Sequence, residues 1–182
     1  MDNLLQTTLL RNGVILGLIS ILTFVAGIVT GLMDFSSILS SFAFLAISIA
    51  ITVIILVYAL SQYRSELNNN MNFKQAFIAA FGISLIGSLI GTVGQYFYTN
   101  FIDPSFYDTM AEQMTMMFEK YNVPEAEAQK GIAQIRNSGT IGAIAMNFLK
   151  SSIGTIIISL IIAAIMKKEP NNPFDNKVID KI

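Results

Sequence analysis

Lys150, Ser151 and Ser152 stand side by side in a chain with few other groups able to do chemistry. A lysine can activate a nucleophilic serine when its charge is suppressed and its amine reaches the hydroxyl. Adjacent positions on a helix do not face each other, so neither serine is placed for Lys150 to activate. The chain has no His and no Cys. That removes Ser–His and Cys–His pairs, thiolate metal ligands and the side chain that titrates most readily near neutral pH. No carboxylate falls within any long apolar run, so neither an aspartyl dyad nor the usual carboxylate relay for protons or sodium can form there. The glycines are scattered and build no phosphate loop. The expectation is a non-enzymatic protein with no catalytic residue, no metal site and no cofactor.

Weaker polar groups are ordered by their spacing. Ser84, Ser88, Gly91 and Gln95 share one helical face, flanked by Gly87 and Thr92, and the opposite side is Leu85, Ile86, Leu89, Ile90 and Val93. Gly87 and Gly91 form a G-x-x-x-G, as do Gly13/Gly17 and Gly27/Gly31, while Ser151, Thr155, Ser159 and Ala163 lie on another stripe. Small residues let helices approach closely within lipid, where burial of apolar surface drives little association. These stripes therefore read as a helix-packing seam. The sharper reading is a polar path or ligand cleft, with Gln95, Asn147 and Lys150 clustered at its outer mouth. Lys150 is then either a functional intramembrane cation or a side chain that snorkels to the interface.

The elements that carry these residues are four apolar runs, residues 13–33, 39–60, 77–97 and 143–166. A spanning helix needs about 20 apolar residues, so each run is long enough to cross a bilayer. Charged residues make up 13% of the chain, against about 25% in a soluble domain, which agrees with an all-α, polytopic membrane protein in one domain. The first run exceeds the roughly 7–15 apolar residues of a secretory signal, and residues 1–12 read as a lead-in to the first helix. With a net charge of −1 and no clustered basic surface, nucleic acid is not an expected partner. Arg11, Arg64, Lys74, Lys167, Lys168, Lys177 and Lys181 all fall on the side of the two chain ends, whereas the segment 98–142 holds six acidic residues. Basic residues near span ends set orientation. Both termini are expected to be cytoplasmic and 98–142 outside.

Between the first two spans, Asp34 or Ser36 offers an N-cap oxygen to the second helix. Asn68-Asn69-Asn70 predicts a turn between the second and third. Tyr63, Arg64, Phe73 and Lys74 flank it where interface anchors belong; the alternative is a specific ligand or partner contact. The outer segment, about 104–138, carries Phe106, Met110, Met114, Met117 and Tyr121 at helical spacing. Asn122-Val123-Pro124-Glu125 breaks that helix and restarts another with Pro124 at its first position. A short helical hairpin follows. Its Met cluster, which includes Met116, matches Cu(I) ligation in principle, but without Cys or His it reads as packing or as a partner surface. The tail 169–182, with Pro170 and Pro173, is expected to be flexible.

Taken in order, these features resemble domain-of-unknown-function family 4199. The resemblance rests on Tyr63-Arg64 after the second span, Phe73-Lys74-Gln75-Ala76-Phe77 at the third, Asp103-Pro104 with Phe106, a Glu/Ala-rich stretch from Pro124, and Lys167-Lys168. The chain departs from the pattern at Asn68-Asn69-Asn70, where a glycine-containing turn is usual, and around Lys150. The resemblance implies a four-span protein of the bacterial cytoplasmic membrane and no activity. Two functional readings stand beside it. One is an interaction or accessory subunit that meets another membrane protein, or a second copy of itself, through its bundle and outer hairpin. The other is a small transporter, channel or lipid- or ligand-binding protein that uses the polar seam of helices three and four.

Overall fold

The computed structural model describes residues 3–168; the tail expected to be flexible lies outside them. The protein is all-α, and no strand occurs among the described residues. Among the described residues four long helices are apolar enough to cross a membrane: α1 (Asn3–Val29), α2 (Ile38–Glu66), α3 (Phe73–Phe97) and, after two short helices, α6 (Ile141–Met166). The short ones are α4 (Phe106–Lys120) and α5 (Glu125–Arg136). The chain is a multi-pass membrane protein.

The helices outrun their apolar cores. α1 begins ten residues before the apolar run because its early polar side chains are satisfied within the helix: Thr7 Oγ1 donates to the Asn3 carbonyl and Asn12 Nδ2 to that of Thr8. It ends at Val29, where Gly31 turns left-handed at φ 70° and lets Met33 N–H return to the Gly27 carbonyl. The cap of α2 is Ser37, which accepts from Ser40 N–H. It is neither Asp34 nor Ser36, because the Asp34 carboxylate instead accepts from the N–H and hydroxyl of Ser36. Those hydrogen bonds hold its pKa below the ordinary value of 3.8.

At the other end α2 continues to Glu66 and is stopped by Asn68 and Asn69, both left-handed. Tyr63 and Arg64 therefore ride on helix, not in a loop. Asn72 and Gln75 then form a reciprocal capping box that starts α3. α3 runs into a π-helical turn, Tyr98–Ile102, which Asp103-Pro104 ends. Pro124 sits at the N-cap of α5, one position earlier than its expected place. α4 and α5 lie against each other, with the Phe118 ring over Gly131.

α3 is the centre of the bundle, between α1 and α6. Its meeting with α1 is a ladder of glycine against bulk. Gly13 and Gly17 of α1 face Ile86 and Ile90; Gly82, Gly87 and Gly94 of α3 face Leu9, Leu16 and Ile21. Ile86 and Ile90, assigned by spacing to the side opposite the seam, thus belong to this contact. At the end that holds the α2–α3 loop the four long helices share one buried core. Leu56, Leu60, Met71, Ala79, Ile83 and Ala163 are fully buried there. Met71 and Lys168 exchange two backbone hydrogen bonds, of 3.0 and 2.8 Å, which tie the loop to the end of α6. Toward the opposite end the bundle opens.

Candidate functional site

The opening is a cavity of about 400 Å³ bounded by α1, α2, α3 and α6, with α4 as its roof. Its polar lining comes from four helices. Ser20 and Thr23 stand on α1, Ser48 and Thr52 on α2, Gln95 on α3 and Asn147 on α6, with Ser138 and Tyr107 at the rim. Phe24, Phe35, Phe44 and Phe106 supply flat apolar walls. Among the described residues no charged side chain lines it.

The hydroxyls and amides play different parts. Ser20, Thr23, Ser48 and Thr52 each donate to a carbonyl one turn back in their own helix, at 2.8 to 2.9 Å. Their oxygens keep lone pairs toward the cavity, so these four positions accept. The side-chain amides of Gln95 and Asn147 have no hydrogen-bond partner among the described residues. Each can donate two hydrogen bonds and accept others. A second cavity of about 190 Å³ lies between α3 and α6 and shares Gln95, Asn147 and Tyr107 with the first. The two free amides thus stand where the cavities join.

α4 is fixed over the cavity by aromatic contact and one hydrogen bond. The Phe24 ring meets Tyr98 edge-on at 5.5 Å and Phe106 at 5.6 Å, and Phe106 meets Tyr107 at 5.2 Å. Gln113 accepts from the Phe35 backbone N–H at 3.1 Å, which joins α4 to the α1–α2 turn. Burial raises the Tyr107 pKa above its ordinary 10.0, against a smaller lowering effect of the Thr99 hydroxyl. The phenol is therefore neutral throughout the physiological range. The Asp108–Arg136 pair, at 3.8 Å and well exposed, adds little to the roof.

The seam residues do not form one continuous path. Gln95 and Asn147 meet at the cavities, and Ser151 lines the smaller one. Lys150 is exposed and lines none of these spaces, so the expected three-residue cluster contains only the two amides. The reason is angular: Lys150 lies with Leu149 and Ile153, both more than half exposed, on the outer side of α6. Gly87 packs on Leu16 and Gly91 lies beside Ser20. Ser88 Oγ donates to the Leu85 carbonyl and Thr155 Oγ1 to that of Ser151. Ser84 and Ser159 are buried in the closed half, and their hydroxyls have no partner among the described residues.

The expected anchors and partner surface divide in the same way. Tyr63 is buried in the core, 3% exposed, and is not a headgroup anchor. Its position on the last turn of α2, facing the bundle, overrides the interfacial habit of tyrosine. Arg64 is half-buried, with one guanidinium nitrogen 3.4 Å from the Met166 carbonyl. Phe73 stacks on Phe77, and Lys74 is exposed. On α4, Phe106 is buried and Met110 lines the cavity, so this end of the proposed partner stripe is covered by the protein itself. Met114 and Met117 are half-buried, and Tyr121 is exposed.

Sequence reasoning found Gln95 and Asn147 but missed the contribution of α1 and α2. The signal was present in Ser48 and Thr52, four apart in the middle of an apolar run, and in Ser20 and Thr23. Comparison with curated proteins and with solved structures returns no match. A family described as protein of unknown function (DUF4199) matches residues 11–168, and the chain belongs to that family.

Proposed function

We propose that this protein is a non-enzymatic binding protein of the bacterial cytoplasmic membrane that holds a small uncharged amphiphile in the cavity under α4. The observation that carries this reading is the pair of amides, Gln95 and Asn147, without partners among the described residues, in a space that those residues wall with phenylalanine and line with no charge. Ligand sites of this kind are mostly apolar, with a few polar groups that fix orientation. An ionised ligand would find no counter-charge in the lining, and burying an unpaired charge is costly. Passage across the bilayer would require the closed half to open, and there the four long helices share one buried hydrophobic core. The cavity is proposed to face the extracytoplasmic side, with both chain ends in the cytoplasm.

The accessory-subunit reading takes second place. It drew on the apolar stripe of α4, and Phe106 and Met110 of that stripe face inward. What supports it is the remaining exposed surface of Met116 and Tyr121, each just over half exposed.

The test is native mass spectrometry of the full chain, extracted from its own membrane into lipid nanodiscs. The expected result is a neutral small molecule retained by the wild type and lost from Gln95→Leu and from Thr52→Phe, which removes one amide or fills the space. A chain that carries no such molecule, or a stoichiometric second protein in its place, would return the accessory reading to the front.

A further inference from the structure

A second site lies in the closed half, on the lipid-facing side. α2 and α6 are parted there by a groove of about 240 Å³ that the described residues line with aliphatic side chains and one Met. Val53 and Val57 form its α2 wall, and Ile158, Ile161, Ile165 and Met166 its α6 wall. Ile161 and Ile165 are 55% and 72% exposed, so the groove opens to the bilayer and not to the bundle interior. Its end at Met166 is marked by cationic groups. Arg64 stands on the same stripe of α2, seven residues beyond Val57, and its guanidinium contacts the Met166 carbonyl. Lys167 and Lys168 follow directly in the chain.

The guanidinium is under-used where it stands. Of its five N–H donors, one makes a 3.4 Å contact and the Nε–H is buried without an acceptor among the described residues. Such a group is matched by a phosphate, which accepts from the planar fork through two oxygens. The order of features along the groove, aliphatic slot and then fixed cation at interface depth, is the order of an acyl chain and its headgroup.

We infer that this groove binds one anionic phospholipid of the leaflet that meets the α2–α3 loop. An acyl chain lies between α2 and α6, and the phosphate sits at Arg64 beside Lys167 and Lys168. The site is separate from the cavity under α4 and needs no ligand there. The occupant carries net negative charge because the three cations at the groove end, Arg64, Lys167 and Lys168, outnumber the two carboxylates beside them in sequence, Glu66 and Glu169.

The experiment uses the full chain in nanodiscs of equal phosphatidylglycerol and phosphatidylcholine with matched acyl chains, released into the gas phase and scored for retained lipid. One phosphatidylglycerol is expected to remain, in preference to phosphatidylcholine. Arg64→Gln should lower that retention about tenfold, the scale of one lost charge-assisted contact, while Arg64→Lys retains part of it. Ile161→Trp fills the slot and should lower retention with the cations intact; Leu149→Trp, on another exposed face of α6, should not. The inference is overturned by equal retention of the two lipids, by retention unchanged in Arg64→Gln, or by loss in Arg64→Gln with none in Ile161→Trp. A homodimer that Ile161→Trp dissociates would also overturn it, by placing a second copy in the groove. Circular dichroism and monodisperse elution of each variant separate loss of the site from loss of the fold.

Discussion

At Gly17 one methyl group decides whether α1 and α3 can meet. A Cβ there would lie 2.5 Å from that of Ile90, a distance real Cβ atoms do not reach. Gly17→Ala should therefore cost about 1–3 kcal/mol, the usual scale of overpacking, seen as a lower unfolding temperature in detergent. Gly154 is the control: a Cβ there meets nothing within 4 Å, and Gly154→Ala should hold or raise stability by up to about 1 kcal/mol through helix propensity. Spacing singled out Gly17 but not Gly154, yet both are glycines in apolar helices, and nothing in composition distinguishes the one that touches a neighbour. Tyr107 gives a pH test at the same scale. Its pKa in the folded chain is raised by burial, so the neutral phenol favours folding fully below the ordinary value of 10.0, and that contribution is lost as pH rises through the raised value. Unfolding followed from pH 7 upward should show an alkaline loss that Tyr107→Phe reduces.

At the scale of elements, hydropathy and helix ends report different physics. The apolar runs mark what the bilayer tolerates, whereas helices stop where backbone groups find other partners. Hence α2 extends six residues beyond its apolar run, to Glu66, and α3 starts four residues early, at the Asn72–Gln75 box. Both ends were readable as local chemistry: Asn is suited to left-handed turns and N-caps. Asn72→Ala should cost about 1 kcal/mol and speed hydrogen exchange at the first amides of α3, with little change in the second half of the same helix. If those amides exchange at the wild-type rate, the capping box does not hold the helix start. The π-helical turn after Phe97 had no comparable signal except Pro104, which announces an ending but not its form.

For the whole molecule, orientation is the testable quantity. The chain has no cysteine, so single introduced thiols report cleanly. In intact cells a membrane-impermeant maleimide should label Gln129→Cys on α5 but not Asn69→Cys in the α2–α3 loop, and the reverse in inverted membrane vesicles. The opposite pattern would invert the proposed topology and place the cavity under α4 on the cytoplasmic side. Length and apolarity were enough by themselves to establish four spanning helices and an all-α fold, because transfer into lipid depends on summed composition and not on neighbours. The order of packing was beyond them. That α3 occupies the centre, that Ile86 and Ile90 seat against glycine, and that Lys150 stands apart from Gln95 and Asn147 all depend on which faces meet. In lipid an apolar face gains little by being buried, so a serine or glycine at the right spacing serves equally as packing surface or cavity wall. Only the tertiary structure, with helices closed at one end and parted at the other, separates Ser159 in the core from Ser48 in the cavity.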